Sequence, residues 1–312
     1  MSASSSTLVP PLMMREEEEP RNWTELPSEV TSLILLRLGA VEILENAQKV
    51  CKPWRHISKD PSMWRKIDMR DLGNRRLKDL DFDTLCRHAV DLSQGGLLEI
   101  NLDFFSSDSL LAYIADRSRN LRSLGIQMFF TAMTNGGLVN AIARLPLLET
   151  LEVSHTCLRL DLKAIGHACP QLKTLKLNSS GSVYDGLDEL GYTFLLKYDD
   201  DYALAIAESM PELRHLQLLG DRLTDTGLNA ILDGCPHLEH LDLRKCYNIN
   251  LVGNLEKQCL ERMKEFKGPD DSTADYPYDI TFVNSDTDSY YDYYYESGSD
   301  IEVNYDGAGT WD

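Results

Sequence analysis

The sequence predicts a mixed α/β repeat fold, a row of strand-plus-helix units preceded by a short all-helical segment, and three observations carry that prediction. The first is spacing. Six segments share the pattern L-x-x-L-x-L, at Leu97/Ile100/Leu102, Leu121/Leu124/Ile126, Leu148/Leu151/Val153, Leu172/Leu175/Leu177, Leu213/Leu216/Leu218 and Leu238/Leu241/Leu243, with starts 24, 27, 24, 41 and 25 residues apart. A strand buries every second residue, and x-L-x-L supplies that alternation. The second is a change of period after these segments, to helical spacing at Leu111/Ile114/Ala115, Leu138/Ile142, Ile165/Ala168, Leu204/Ala207 and Leu228/Ile231/Leu232. The third is punctuation, in which Leu145-Pro146, Cys169-Pro170, Met210-Pro211 and Cys235-Pro236 each end a helix two residues before a strand pattern restarts. A unit of this length cannot bury its own apolar face, so neighbours must stack.

Taken from the N-terminus, residues 1–21 are Ser-rich and interrupted by Pro, and they read as disordered. Residues 22–66 hold Asn22-Trp23-Thr24-Glu25-Leu26-Pro27-Ser28-Glu29-Val30, a helical stretch to Leu38, a second to Cys51, and Pro53-Trp54-Arg55 opening a third. Ser28 is the expected N-cap and Glu29 suits the positive end of the helix dipole. Val30, Leu33, Ile34 and Leu38 share one face of the first helix; Ile43, Leu44 and Ala47 supply the second. About 40 residues in three helices bury too little surface to stand alone, which implies a partner for the leftover apolar groups.

The series Leu26-Pro27-x-Glu29, Ile34, Leu38, Val50-Cys51-Lys52-x-Trp54-Arg55 and Trp64 is similar to the F-box. The resemblance implies docking onto a Skp-type adaptor, and through it to cullin and RING subunits, with Leu26, Pro27, Val30, Ile34, Leu38, Val50 and Trp54 as the adaptor-binding positions. Trp64-x-x-Ile67-x-Met69 then reads as a capping half-repeat that joins this box to the repeats. Residues 67–268, with Cys169, Cys235 and Cys246 at helix ends and turns, look like the cysteine-containing class of leucine-rich repeat. That implies a short horseshoe-shaped solenoid with a parallel sheet on its concave side. The whole chain resembles the plant-type F-box/leucine-rich-repeat proteins, a group of Skp-interacting partners. The resemblance implies a substrate-recognition subunit of an SCF-type E3 ubiquitin ligase, a non-catalytic role.

Side chains alternating with the buried leucines form the recognition face. Its C-terminal part, Thr174, Lys176, Asn178, His215, Gln217, His240, Asp242 and Arg244, is the candidate target-binding set because it lies farthest from the box, and its charge is expected to turn from acidic to mixed or basic. His215 and His240 hold the same position in adjacent units, so they are expected about 4.8 Å apart across the sheet. The 41-residue interval contains an insertion at about 182–201, a candidate contact loop. Six repeats form too open an arc to enclose a small molecule, so no cofactor is expected.

Composition excludes other classes. The net charge of −19 argues against nucleic acid, which needs a basic face. Twelve carboxylates after Lys267, with no Lys or Arg among them, account for −12 of it and leave −7 for the rest, so residues 269–312 read as a disordered acidic, Tyr-rich tail. Seven cysteines without a C-x-x-C pair suggest neither disulfides nor a zinc module. His155 with Cys157, or Cys235-x-His237-x-x-His240, would be the residues of a catalytic or metal site, but Cys235 is expected in the core while His240 faces the opposite side, so the latter set does not converge. No stretch is long and apolar enough to span a bilayer and no secretory signal is present, which gives a nuclear or cytoplasmic expectation. A scaffold without ligase function and a small-molecule co-receptor are the alternative readings.

Overall fold

The computed structural model describes residues 26–70, 80–103, 105–127, 133–154, 160–178 and 199–276. Outside them fall Trp23, His155, Cys157, most of the insertion, and the acidic tail from residue 277 onward.

The chain opens with α1 (Ser28–Leu35) and a second helical run, α2, over residues 40–50, in which Ala40–Glu42 widens through a π turn at Ile43–Ala47 into Gln48–Val50. Helix α3 (Lys52–Ile57) follows, with Pro53 in its first turn, where a missing N–H costs nothing. Ser28 is not the N-cap of α1: Pro27 occupies that position and no side chain caps the helix. A 3-10 turn, Pro61–Trp64, is capped by Asp60, whose carboxylate accepts from the Ser62 amide at 2.9 Å.

One parallel sheet comes next, with eight strands in sequential order: β1 (Lys66–Asp68), β2 (Glu99–Leu102), β3 (Ser123–Gln127), β4 (Thr150–Ser154), β5 (Thr174–Asn178), β6 (His215–Leu219), β7 (His240–Asp242) and β8 (Glu265–Lys267). Its connections carry α4 (Phe82–Leu92), α5 (Asp108–Arg117), α6 (Asn135–Ile142), α7 (Leu162–Ala168), α8 (Asp201–Ser209), α9 (Asp225–Gly234) and α10 (Leu255–Arg262). Right-handed crossovers between sequential neighbours place every helix on one face of the sheet and leave the other open. The register aligns Ile67, Ile100, Leu124, Leu151, Leu175, Leu216, Leu241 and Phe266. Strand β8 is the one strand that the leucine spacing does not announce.

Among the helices that connect the strands, faces follow the expected spacing except at α8, where Ala203 and Ile206 turn inward while Leu204 is exposed, so the Leu204/Ala207 stripe is not the core face. In α1 the expected face of Val30, Leu33, Ile34 and Leu38 is not the buried one, since Thr31 and Leu35 turn inward and Val30 and Leu33 are exposed. Cys169, Cys235 and Cys246 are buried, as a small apolar thiol suits a crowded helix end or turn.

Polar rungs join successive helix starts. Asp108, at the first turn of α5, accepts from the Thr134 amide at 2.8 Å and its hydroxyl at 2.7 Å; Thr134 in turn caps α6 through the Gly137 amide at 2.9 Å. Asp200 repeats this with the amide and hydroxyl of Thr224, at 2.7 and 2.8 Å, and Thr224 caps α9. Asp225 accepts from the amides of Asn250 and Leu251. Gly137 and Gly227, three residues after the capping threonines, make room for these carboxylates: a Cβ at either position would collide with the Asp108 or the Asp200 side chain.

A single apolar cluster runs from Leu35 through Trp64 to Met263, so the helical box and the sheet share one core. Trp64 is the joint. Its side chain is 1% exposed, its indole N–H donates to the Ser58 carbonyl at 2.8 Å, and its 3-10 turn packs against α4.

Candidate functional site

The box turns an apolar patch outward. Thr31 and Leu35 are the buried residues of α1, while Val30, Leu33 and Leu36 are 41%, 64% and 54% exposed, and Val50 at the end of α2 is 62% exposed. Ile43, Leu44 and Ala47 of α2 are buried in the core, and the described residues of the box leave these groups of α1 uncovered. Of the positions assigned to adaptor binding, Pro27, Val30 and Val50 are exposed, and Leu26, Ile34, Leu38 and Trp54 are half-buried. Leu36 lies outside that set, as does Leu33, whose side chain is the most exposed of the large apolar groups on α1. The Trp54 indole N–H is enclosed with no acceptor among the described residues. Polar groups flank Val50 in sequence: Lys49 pairs with Glu45 at 3.0 Å, and Arg55 Nε donates to the Gln48 carbonyl at 3.1 Å. An exposed apolar patch marks a protein-docking surface.

The open face of the sheet is a second surface. Strand register brings Thr174, His215 and His240 into one row, and Lys176, Gln217 and Asp242 into the next. The eight candidate target-binding residues do not all reach solvent. Asn178 is buried, donating to Ser154 Oγ at 2.9 Å and accepting from Gln217 Nε2 at 2.7 Å. Arg244 is also buried, 3% exposed and held by Asp242 and Asp275. The expected basic end of the face is therefore neutralised from within the chain. Elsewhere charges pair across neighbouring strands, Lys66 with Glu99 at 2.8 Å and Lys176 with Glu152 at 3.4 Å.

His215 and His240 stack with ring centroids 4.3 Å apart and planes 11° from parallel, and Glu265 Oε2 lies 3.4 Å from His240 Nδ1. Burial first, then His240, holds the His215 pKa below its ordinary value; Lys176 and Lys264 act in the same direction, and Glu239 opposes them. A folded-state pKa below the unfolded one means that protons favour unfolding: the contribution of His215 is complete above about pH 6.5 and falls away below it. Stability measured from pH 7.5 to 5 should accordingly drop in the native chain and drop less in His215→Gln. Parallel curves for the two would contradict this.

Among the described residues no group of three or more His, Cys, Asp or Glu is placed to hold a metal ion. Cys235 lies in the core, apart from His240 on the open face. Burial pushes the Cys86 thiol up to about 12 and those of Cys169 and Cys235 to about 11. No helix among the described residues is long and apolar enough to cross a membrane.

The chain is thus a helical box with outward apolar groups, fused through a common core to a leucine-rich parallel sheet. Residues 23–70 match the F-box-like family. Three Arabidopsis thaliana proteins illustrate the wider likeness. One, provisionally named F-box/LRR-repeat protein 21, is 64% identical over 300 residues, covering 88% of this chain and 97% of its own. F-box protein SKIP19 is 50% identical over 304 residues, covering 97% and 91% respectively. F-box protein SKIP1 is 32% identical over 271 residues, covering 81% and 89%. The chain belongs to the plant F-box/LRR-repeat proteins.

Proposed function

We propose that this chain is the substrate-recognition subunit of an SCF-type E3 ubiquitin ligase. In this reading the box docks on a Skp-type adaptor and through it on cullin and RING subunits, while the repeats, curved as a short horseshoe, present their open face to a target protein. The observation that carries it is the outward exposure of Val30, Leu33, Leu36 and Val50, which the described residues of the box leave uncovered. The SKIP names of two relatives, which denote Skp interaction, point the same way. The chain's contribution is non-catalytic. Trp64 and the shared core fix the box against the sheet, so a target is held at a set distance from the ubiquitin-loaded enzyme, and proximity does the work. The complex operates in the nucleus or cytoplasm.

Co-expression with a plant Skp-type adaptor tests this. The two chains should elute as one species and reassociate after dilution to about 10 µM, the weak end of the range for an interface of ordinary size. A chain that stays alone at that concentration would remove the ligase assignment.

A further inference from the structure

At its β7–β8 corner the open face ends in a charge cluster. Arg244 follows β7, and Asp242 grips its guanidinium through Nε–Oδ1 at 2.9 Å and Nη2–Oδ2 at 2.7 Å. The remaining nitrogen, Nη1, donates to the Ser272 carbonyl at 2.7 Å and to the Asp275 carboxylate. Lys267 of β8 donates to Oδ2 of the same carboxylate at 2.7 Å. A single carboxylate on the return segment 269–276 is thus clamped between a guanidinium and an ammonium from neighbouring strands. Lys267 first, then Arg244, pulls its pKa down to about 2.

The two carboxylates on Arg244 differ in kind. Asp242 belongs to β7, and its parallel bonds orient the guanidinium whether or not Asp275 is present. Asp275 arrives on a segment held at Pro269, whose carbonyl accepts from the Lys245 amide at 2.8 Å, at Asp271, whose carboxylate accepts from the Gly268 amide at 2.8 Å, and at Ser272, whose carbonyl accepts from Arg244 itself; none of these bonds uses the Asp275 side chain. The Asp275 side chain is 56% exposed. Its outer side therefore faces solvent, so an oxyanion from outside can approach the clamp and compete with this carboxylate for Arg244 and Lys267. Once it leaves, an inward-facing Nη1 N–H and the Lys267 ammonium lose their strongest acceptor, since Glu265 stands farther off, 3.7 Å from Lys267, and also serves His240.

We propose that this corner is an oxyanion-binding site for the target, with Asp275 as an intrachain stand-in that a phosphoryl or carboxylate group of the target replaces on Arg244 Nη1 and Lys267 Nζ. The proposal rests on the reading of the open face as the target-binding surface and names what that surface selects. The position fits, because the row of Lys176, Gln217 and Asp242 continues to Lys267 on β8, beside the row of His215 and His240. The chemistry fits too: a planar guanidinium already oriented by one carboxylate, with an ammonium beside it, matches a tetrahedral or planar oxyanion.

The test uses the full chain bound to its adaptor, with inorganic phosphate and acetate as probes, titrated calorimetrically at low ionic strength. Asp275→Ala, which lacks the internal competitor for a charge-assisted site, should bind phosphate about tenfold more tightly than the native chain. Asp275→Asn, which keeps the segment's shape, should gain in the same direction. Adding Lys267→Met to either variant should abolish the gain. Tighter binding of phosphate than acetate assigns a phosphoryl group, and equal binding a carboxylate; either supports the site. No gain in both Asp275 variants, or a gain that survives Lys267→Met, overturns it. Adaptor capture is read in the same samples, so loss of the site is distinguishable from failure of the ligase reading.

Discussion

Replacing Leu33 and Val50 together by aspartate should weaken binding of a Skp-type adaptor by about a thousandfold while leaving the fold intact. The expectation combines two features of the patch. Both side chains are more than 60% exposed, so they contribute little to the folded chain on its own, and surface substitutions of this kind stay within about 0.5 kcal/mol. Once covered by a partner, each becomes an anchor of the interface, and losing a central anchor costs about 2 kcal/mol or more, to which the desolvation of a carboxylate is added. The measurement is a calorimetric titration of adaptor paired with a thermal melt of the variant. Unchanged affinity would mean that the patch is not the docking face. A melting point lowered by many degrees would mean that these residues are structural after all.

The second large effect lies at the joint. Trp64→Ala should destabilise the chain by about 3–5 kcal/mol, because it empties the site of the largest fully buried side chain and leaves the Ser58 carbonyl without its donor. Urea denaturation should show the midpoint falling sharply. Trp64→Phe keeps most of the volume and loses the hydrogen bond, so its cost should be nearer 1–2 kcal/mol. Native-like stability in Trp64→Ala would show that box and sheet are held together elsewhere. If the variant still captures adaptor but no longer behaves as one cooperative unit, Trp64 is what makes the two parts rigid with respect to each other.

The frame of this molecule was readable because the buried apolar positions of strands β2 to β7 are all leucine, isoleucine or valine, almost all in alternation, and a pleated strand tolerates little else there. Strand β8 escaped because Met263-x-x-Phe266 ends in Gly268, so the unit lacks both the leucines and the third apolar position. The His215/His240 contact was legible for a different reason: register in a parallel sheet comes directly from equal spacing. Helix α1 was the opposite case. Spacing puts Val30, Leu33, Ile34 and Leu38 on one face, yet the structure buries Thr31 and Leu35 and exposes Val30 and Leu33, because apolar residues wrap nearly all round the helix and only packing against its neighbours selects the interior side. The fate of Arg244 was hidden by distance. Its partner Asp275 lies thirty-one residues on, in a stretch whose composition reads as tail, yet residues 269–276 fold back onto the end of the sheet.

The carboxylate rungs at the helix starts have a consequence for how this architecture changes length over time. Each rung takes its acceptor from one unit and its donor from the next, and in the Asp108 and Asp200 rungs a glycine makes room between them. An excision or duplication whose ends do not fall at equivalent points would strand a charged oxygen against a side chain with nothing to offer it. Growth and shortening are thereby confined to whole modules cut at matching seams, and coupling between adjacent modules, more than the merit of any one of them, governs whether the result still folds.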